Sequence, residues 1–163
     1  MLHHPAYRGH FAANLQREIP RVPMAADLWR YAEVGGKLID LHLGYEEAPL
    51  YELEWTENPE LPLSYRVTDR MRLDRKAGTI QVNESLTLGG VPNQAFEYML
   101  GTRCALEWVV DQCRCEKDDD GEITSDPNDP DNERYLIELI ERVTTVSLDT
   151  LALIRSLPPE IRP

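Results

Sequence analysis

Residues 133–156 carry side chains suited to burial at helical spacing, with no proline or glycine among them. Leu136, Ile140, Val143, Leu151 and Ile154, with Ser147 in register, fall on one face at steps of three or four. That period predicts one long helix whose stripe the rest of the chain must cover. Asp131 or Asn132 can cap its start. Pro158-Pro159 ends it, because a proline has no backbone N–H to donate.

Elsewhere the breakers come more often and the segments are shorter. Residues 6–16 read as a helix, with Tyr7, Phe11 and Leu15 one turn apart. Ile19-Pro20-Arg21-Val22-Pro23 cannot continue it. A second helix follows from about Ala25 to His42, with Leu28, Tyr31, Leu38, Leu41 and His42 on its buried side. Gly35-Gly36 marks a kink or a close approach within it. Residues 44–63 form a linking loop, in which the alternation of Tyr51, Leu53 and Trp55 suits a short strand. Three strands come next: Met71–Leu73, Thr79–Val82 and Leu86–Val91. Arg75-Lys76-Ala77-Gly78 turns the first into the second, giving an antiparallel hairpin or meander.

After Pro92, Phe96, Met99 and Leu100 read as a short helical face. Gly101 interrupts it, and Thr102 caps a further helix carrying Leu106, Val109 and Val110. Residues 114–132 are an acidic loop. Tyr7, Phe11 and Trp108 are assigned to the core. The expectation is an α+β fold in a single domain over residues 1–163, with helices at both ends and a small antiparallel sheet or hairpin between. Residues 1–43 are helical, 66–91 stranded, and 93–157 helical apart from the loop.

At 163 residues the chain has the size of one domain and can bury a core without disulfide or metal staples. Its three cysteines show no framework spacing, which fits a reducing cytoplasm. The N-terminus lacks the basic and apolar regions of a signal peptide, and no apolar run suits a membrane span. The net charge of −12 argues against uniform coating of nucleic acid. The charge is uneven, however. Residues 111–163 hold 14 acidic and 6 basic side chains. By contrast Arg66, Arg70, Arg72, Arg75 and Lys76 meet only Asp69 and Asp74. A basic patch can face a duplex while the acidic part faces away. The plain alternative is that these arginines decorate the solvated face of a hairpin.

Tests for catalytic motifs fail. Gly35-Gly36-Lys37-Leu38 echoes a phosphate-binding loop, but Tyr31 stands where its first glycine belongs and Leu38 where a Ser or Thr belongs. There is no Gly-x-Ser-x-Gly. Cys113 and Cys115 lack the partners of a zinc site. His3-His4, His10 and His42 read as surface or satisfied core residues rather than ligands. Asp118, Asp120, Gly121 and Ile123 match part of a calcium loop, but Pro127 occupies the place of its bidentate glutamate. Asn58-Pro59-Glu60-Leu61 lacks the second proline and the aromatic of an adenine methyltransferase loop. The chain by itself offers no assembled catalytic site, cofactor site or metal site.

Five stretches in order carry a family likeness. They are Leu2-His3-His4-Pro5-Ala6-Tyr7-Arg8 running on through Phe11 to Pro23; Leu41-His42-Leu43-Gly44-Tyr45-Glu46; Gly101-Thr102-Arg103-Cys104-Ala105-Leu106-Glu107-Trp108 through Gln112; Gly121-Glu122-Ile123 with Asp126-Pro127-Asn128; and Val143-Thr144-Thr145-Val146-Ser147 with Ser156-Leu157-Pro158. Together they resemble the C-terminal specificity domain of Type ISP restriction–modification enzymes. Cys113 departs from the family, which carries an aromatic there.

The resemblance implies a target-recognition domain at the end of a long polypeptide. In that polypeptide a nuclease, a helicase-like ATPase and an adenine methyltransferase lie upstream. S-adenosylmethionine, ATP and Mg are then expected only in those upstream domains. The partners expected here are duplex DNA and the upstream methyltransferase domain. Arginine's planar fork suits guanine, so Arg70, Arg72, Arg75 and Lys76 are the candidate DNA contacts on the strand pair and its turn. Arg8, Arg17 and Arg21 either contact phosphate or dock the methyltransferase. The competing reading is an acidic protein-interaction or DNA-mimic module, which would bind no DNA.

Overall fold

The alternation in the middle of the chain builds a four-stranded antiparallel sheet in the computed structural model, which describes residues 5–17, 19 and 27–158. Its strands are β1 (Glu54–Glu57), β2 (Arg72–Asp74), β3 (Thr79–Gln81) and β4 (Leu86–Gly89), in the spatial order β1-β4-β3-β2. Two short hairpins pair β5 (Met99–Leu100) with β6 (Arg103–Cys104) and β7 (Glu116–Lys117) with β8 (Ile123–Ser125). The helices are α1 (Pro5–His10), α2 (Ala12–Leu15), α3 (Leu28–Leu43), α4 (Ala105–Gln112) and α5 (Tyr135–Arg155). The α+β class expected from the sequence is the class observed. Packing groups the chain into two units, Met1–Gly44 with Asp149–Pro163, and Tyr45–Leu148.

In the first unit the expected helix over 6–16 divides at Phe11 into α1 and α2. Tyr7 is buried, and its ring centroid lies 4.9 Å from that of Phe11. Asp27 caps α3 by accepting from the Arg30 N–H. Tyr31, Val34 and Leu157 form a small core, with Leu38 and Leu153 packed against it. The Tyr31 hydroxyl donates to the Pro158 carbonyl, and His42 Nε2 lies 2.9 Å from Thr150 Oγ1. Leu28 does not join the buried side as expected. It is 58% exposed, and the next residue, Trp29, is 84% exposed.

In the second unit, strand period decides which side chains are buried. Directly paired residues share a face. Leu73, Ile80, Leu88 and Trp55 therefore form one row across the sheet, with Ile80 and Leu88 fully buried. Arg72, Gln81, Thr87 and Thr56 form the adjacent row on the opposite face, exposed except for a half-buried Thr87. The β2–β3 turn is set by Asp74, whose Oδ1 accepts from the N–H groups of Lys76 and Ala77. Gly78 then takes φ +65°, and its carbonyl accepts from the Val91 N–H. A Cβ at position 78 would lie 2.8 Å from the Val91 carbonyl oxygen, so this turn demands glycine.

Four expectations need correction here. Met99 and Leu100 are not helical. Phe96 belongs to a 3-10 turn over Asn93–Glu97, and Met99–Leu100 is the first arm of a tight hairpin. Gly101, at φ +70°, takes the first place of its two-residue turn, where a positive φ is wanted. Thr102 therefore sits in that turn, and Cys104 caps α4 instead. Trp108 is not core, being 44% exposed. The acidic stretch 114–132 is not wholly loop, since it contains the β7–β8 hairpin.

α5 covers the span its periodicity predicted, but its burial is wider than one stripe. Ile137, Thr144, Val146 and Thr150 are buried along with Leu136, Ile140, Val143, Ser147 and Ile154. The buried hydroxyls of Thr144 and Ser147 donate one turn back, to the carbonyls of Ile140 and Val143. Glu141 is also buried, and burial pushes its carboxyl up despite a hydrogen bond from Trp55 Nε1. The Arg134 guanidinium lies over the Trp55 and Tyr65 rings, 4.7 and 5.5 Å from their centroids. No helix of the described residues is long and apolar enough to cross a membrane.

Candidate nucleic-acid interface

β2 is an edge strand, and α4 packs against it. Between them lies a cleft of about 610 Å³, lined by Arg70 and Arg72 from the β2 segment and by Thr102, Arg103, Glu107 and Asp111 from the α4 side. Segments more than 30 residues apart in sequence thus bring their guanidiniums together.

Asp111 organises one end of the cleft. Its Oδ1 accepts from Arg70 Nη2 at 2.5 Å, and its Oδ2 from Arg103 Nη1 at 2.6 Å. Each arginine meets one oxygen, and both remain more than half exposed. The charge-assisted bonds fix where the guanidiniums sit while leaving them open to solvent.

Glu107 organises the other end. It completes a capping box, in which its Oε2 accepts from the Cys104 N–H at 3.0 Å while Cys104 Sγ accepts from the Glu107 N–H at 3.4 Å. The same Oε2 lies 2.6 Å from Arg75 Nη2. Burial alone would raise the Glu107 carboxyl, but the Cys104 N–H and the Arg75 guanidinium outweigh it and hold the group below its ordinary value. Arg75 is raised in turn, chiefly by its hydrogen bond to Glu107. Its guanidinium also lies 5.9 Å from the centroid of the Phe96 ring. Four guanidiniums (Arg70, Arg72, Arg75 and Arg103) therefore face two carboxylates. Arg72 and Lys76 have no ion-pair partner among the described residues.

The structure thus gathers Arg70, Arg72 and Arg75 around the cleft, with Lys76 exposed in the adjoining turn. Arg8 and Arg17 belong to the other unit, and Arg21 lies outside the described residues. Two arginines escaped the sequence reading. Arg103 stands four residues before Glu107, the spacing of a helix-surface pair. It lies before the helix, in β6, and bonds Asp111 instead. Arg114 extends the basic rim and pairs with Glu116. The available signal was Glu107 and Asp111, one turn apart on α4, opposite a strand rich in arginine.

The acidic segment is anchored rather than loose. The Asn128 side-chain amide accepts from the Val67 N–H and donates to the Val67 carbonyl, both at 2.8 Å. Asp126 bonds Arg66, and the Asn128 N–H above all holds its carboxyl below the ordinary value. The Cys115 N–H donates to the Asp69 carbonyl. Asp118, offered by sequence as half of a calcium loop, accepts instead from the N–H groups of Asp120 and Glu122. Among the described residues no three His, Cys, Asp or Glu side chains cluster as metal ligands.

Comparison with known proteins gives a consistent picture. The Type ISP C-terminal specificity domain model matches residues 1–142. No curated protein matches the chain. A nuclease-deletion mutant of the Type ISP restriction-modification enzyme LlaGI, solved with a DNA substrate mimic, is similar at 40% identity and a TM-score of 0.81, over 96% of this chain and 13% of that one. The ATP-dependent Type ISP enzyme LlaBIII, bound to DNA, gives 35% and 0.84, over 98% and 11%. DrdV in a DNA complex gives 33% and 0.80, over 98% and 17%. The chain therefore spans under a fifth of each of these relatives.

Proposed function

The chain belongs to the Type ISP C-terminal specificity domain family, and from that premise we propose that it recognises a duplex DNA sequence through the arginine cleft between β2 and α4. The convergence of Arg70, Arg72 and Arg103 on one cleft, with Arg75 paired to its Glu107, carries this reading. Exposed ion pairs of this kind are worth only about 0.2–1 kcal/mol each. A phosphate, or the acceptor edge of guanine, can replace Asp111 on Arg70 or Arg103 at little cost. The arginine forks suit guanine O6 and N7. Lys76 and any spare guanidinium suit phosphate, which positions the duplex without reading it.

In this reading the chain is the non-catalytic, DNA-reading part of a longer cytoplasmic polypeptide. Adenine methylation with S-adenosylmethionine and the ATP- and Mg-dependent steps belong upstream. The methyltransferase segment is its protein partner, and Arg8, Arg17 and Arg21 serve that partner or DNA phosphate.

The test is selection from randomised labelled duplexes at low and moderate salt, followed by sequencing of what is retained. One short enriched sequence is expected, with binding that weakens steeply as salt rises. The selection is run on the chain alone and with an upstream methyltransferase segment attached. Absence of enrichment in both would refute the proposal in favour of a protein-interaction or DNA-mimic module.

A further inference from the structure

The exposed face of the sheet pairs the cleft residue Arg72 with a polar side chain that the arginine cleft does not explain. Arg72 and Gln81 are direct cross-strand partners on β2 and β3. Their side chains share one face, with Cβ atoms about 5 Å apart. Both are exposed, and neither head group has a hydrogen-bond or ion-pair partner among the described residues. The strands beneath them are fixed by the buried Ile80, Val82 and Met71. Unpartnered heads on a rigid backbone are suited to meeting a ligand.

The neighbouring amide provides a contrast. Asn83 also borders the shallow cleft that Arg72 and Gln81 line. Its Nδ2 donates to the Ser64 and Arg66 carbonyls, and its Oδ1 accepts from the Ser85 and Leu86 N–H groups. Asn83 is fully engaged in holding the fold, whereas Gln81 keeps its donor and acceptor available.

A two-stranded ribbon fits the major groove, where glutamine offers adenine a matched donor and acceptor for N7 and N6. Arginine offers guanine two donors for O6 and N7. Side chains this close reach neighbouring base pairs. We infer that Gln81 is a specificity-determining residue that reads an adenine beside the guanine read by Arg72. This rests on the proposal that the chain recognises duplex DNA, and it assigns one position of the target to a residue outside the arginine cluster.

Selection from randomised duplexes tests it, using the wild type, Gln81→Ala, Gln81→Glu and Arg72→Ala. The wild type is expected to enrich a sequence with adenine next to guanine. Gln81→Ala should lose preference at the adenine alone, on the order of 5- to 150-fold, with the salt dependence unchanged. Gln81→Glu should move that preference toward cytosine, whose N4 amino group a carboxylate accepts from. Arg72→Ala should relax the adjacent guanine. Matching urea midpoints would show that the exposed substitutions leave the fold intact. A Gln81→Ala variant that keeps every base preference of the wild type overturns the assignment while leaving the DNA reading standing. A wild type that enriches nothing, alone or with the methyltransferase segment, overturns both.

Discussion

Replacing Glu107 by alanine removes two interactions that other variants can separate. The carboxylate accepts from the Cys104 N–H in the capping box and pairs with Arg75. Losing a helix cap costs about 0.5–2 kcal/mol. Losing a partly exposed ion pair costs about 0.2–1 kcal/mol. Glu107→Ala should therefore destabilise by about 1–3 kcal/mol, or lower the melting midpoint by about 2–12 °C in a protein this size. Glu107→Gln keeps an oxygen for the Cys104 N–H and loses only the charge, so it should cost under about 1 kcal/mol. Arg75→Ala should also cost about 1 kcal/mol or less, through the ion pair and its contact with Phe96. Urea unfolding of the three variants and the Glu107→Ala/Arg75→Ala double variant gives the coupling between the pair.

The sign with pH follows from the depressed carboxyl. A group held below its unfolded value stabilises above the ordinary carboxylate range, and that contribution is lost as pH falls through the folded value. Glu107→Gln should flatten that acid limb. If Glu107→Gln costs as much as Glu107→Ala at neutral pH, the capping argument is wrong.

Four further outcomes follow. Gly78→Ala should destabilise by at least about 1–2 kcal/mol in urea, because an L residue pays for the left-handed backbone and its Cβ would strike the Val91 carbonyl. Ile137→Ala, at a fully buried site, should cost about 2–5 kcal/mol by the same measurement. Glu141→Gln keeps an acceptor for Trp55 Nε1 and removes a carboxyl that burial pushes up. The wild type should lose stability as pH rises from the ordinary carboxylate range through the raised value, and the variant should lack that slope in pH-dependent melting. If Arg70 contacts a phosphate, Arg70→Ala should reduce the slope of log affinity against log salt by about 0.9, measured by titration of the selected duplex.

Local patterns in the sequence were enough to locate some elements. The period of residues 136–154 located α5, and the alternation of Ile80 and Val82 with Gly78 in the turn located the β2–β3 hairpin. β5 and β6 are only two residues each, too short for any period to register. The β7–β8 hairpin was hidden because its residues are all exposed and carry no apolar alternation. Trp108 illustrates a different limit: an aromatic on a short helix has either side open to it, and packing decides. The site was half visible. Charge density singled out Arg70, Arg72 and Arg75, but the Arg70–Asp111 bond joins residues 41 apart, and no local pattern reports that.

The two faces of the β1–β4 sheet also bear on how such a domain changes its target. Strand period assigns Ile80 and Leu88 to the interior and Gln81 and Thr87 to the outer face, so each strand alternates core positions with positions that the proposed reading turns toward DNA. Substitution at a surface position leaves its buried neighbours untouched and is nearly neutral for folding. Under the proposed DNA reading, new specificities then arise one base at a time without passing through an unfolded intermediate sequence. A library varied only at positions 56, 72, 81 and 87 should yield mostly folded proteins that differ in the DNA they retain.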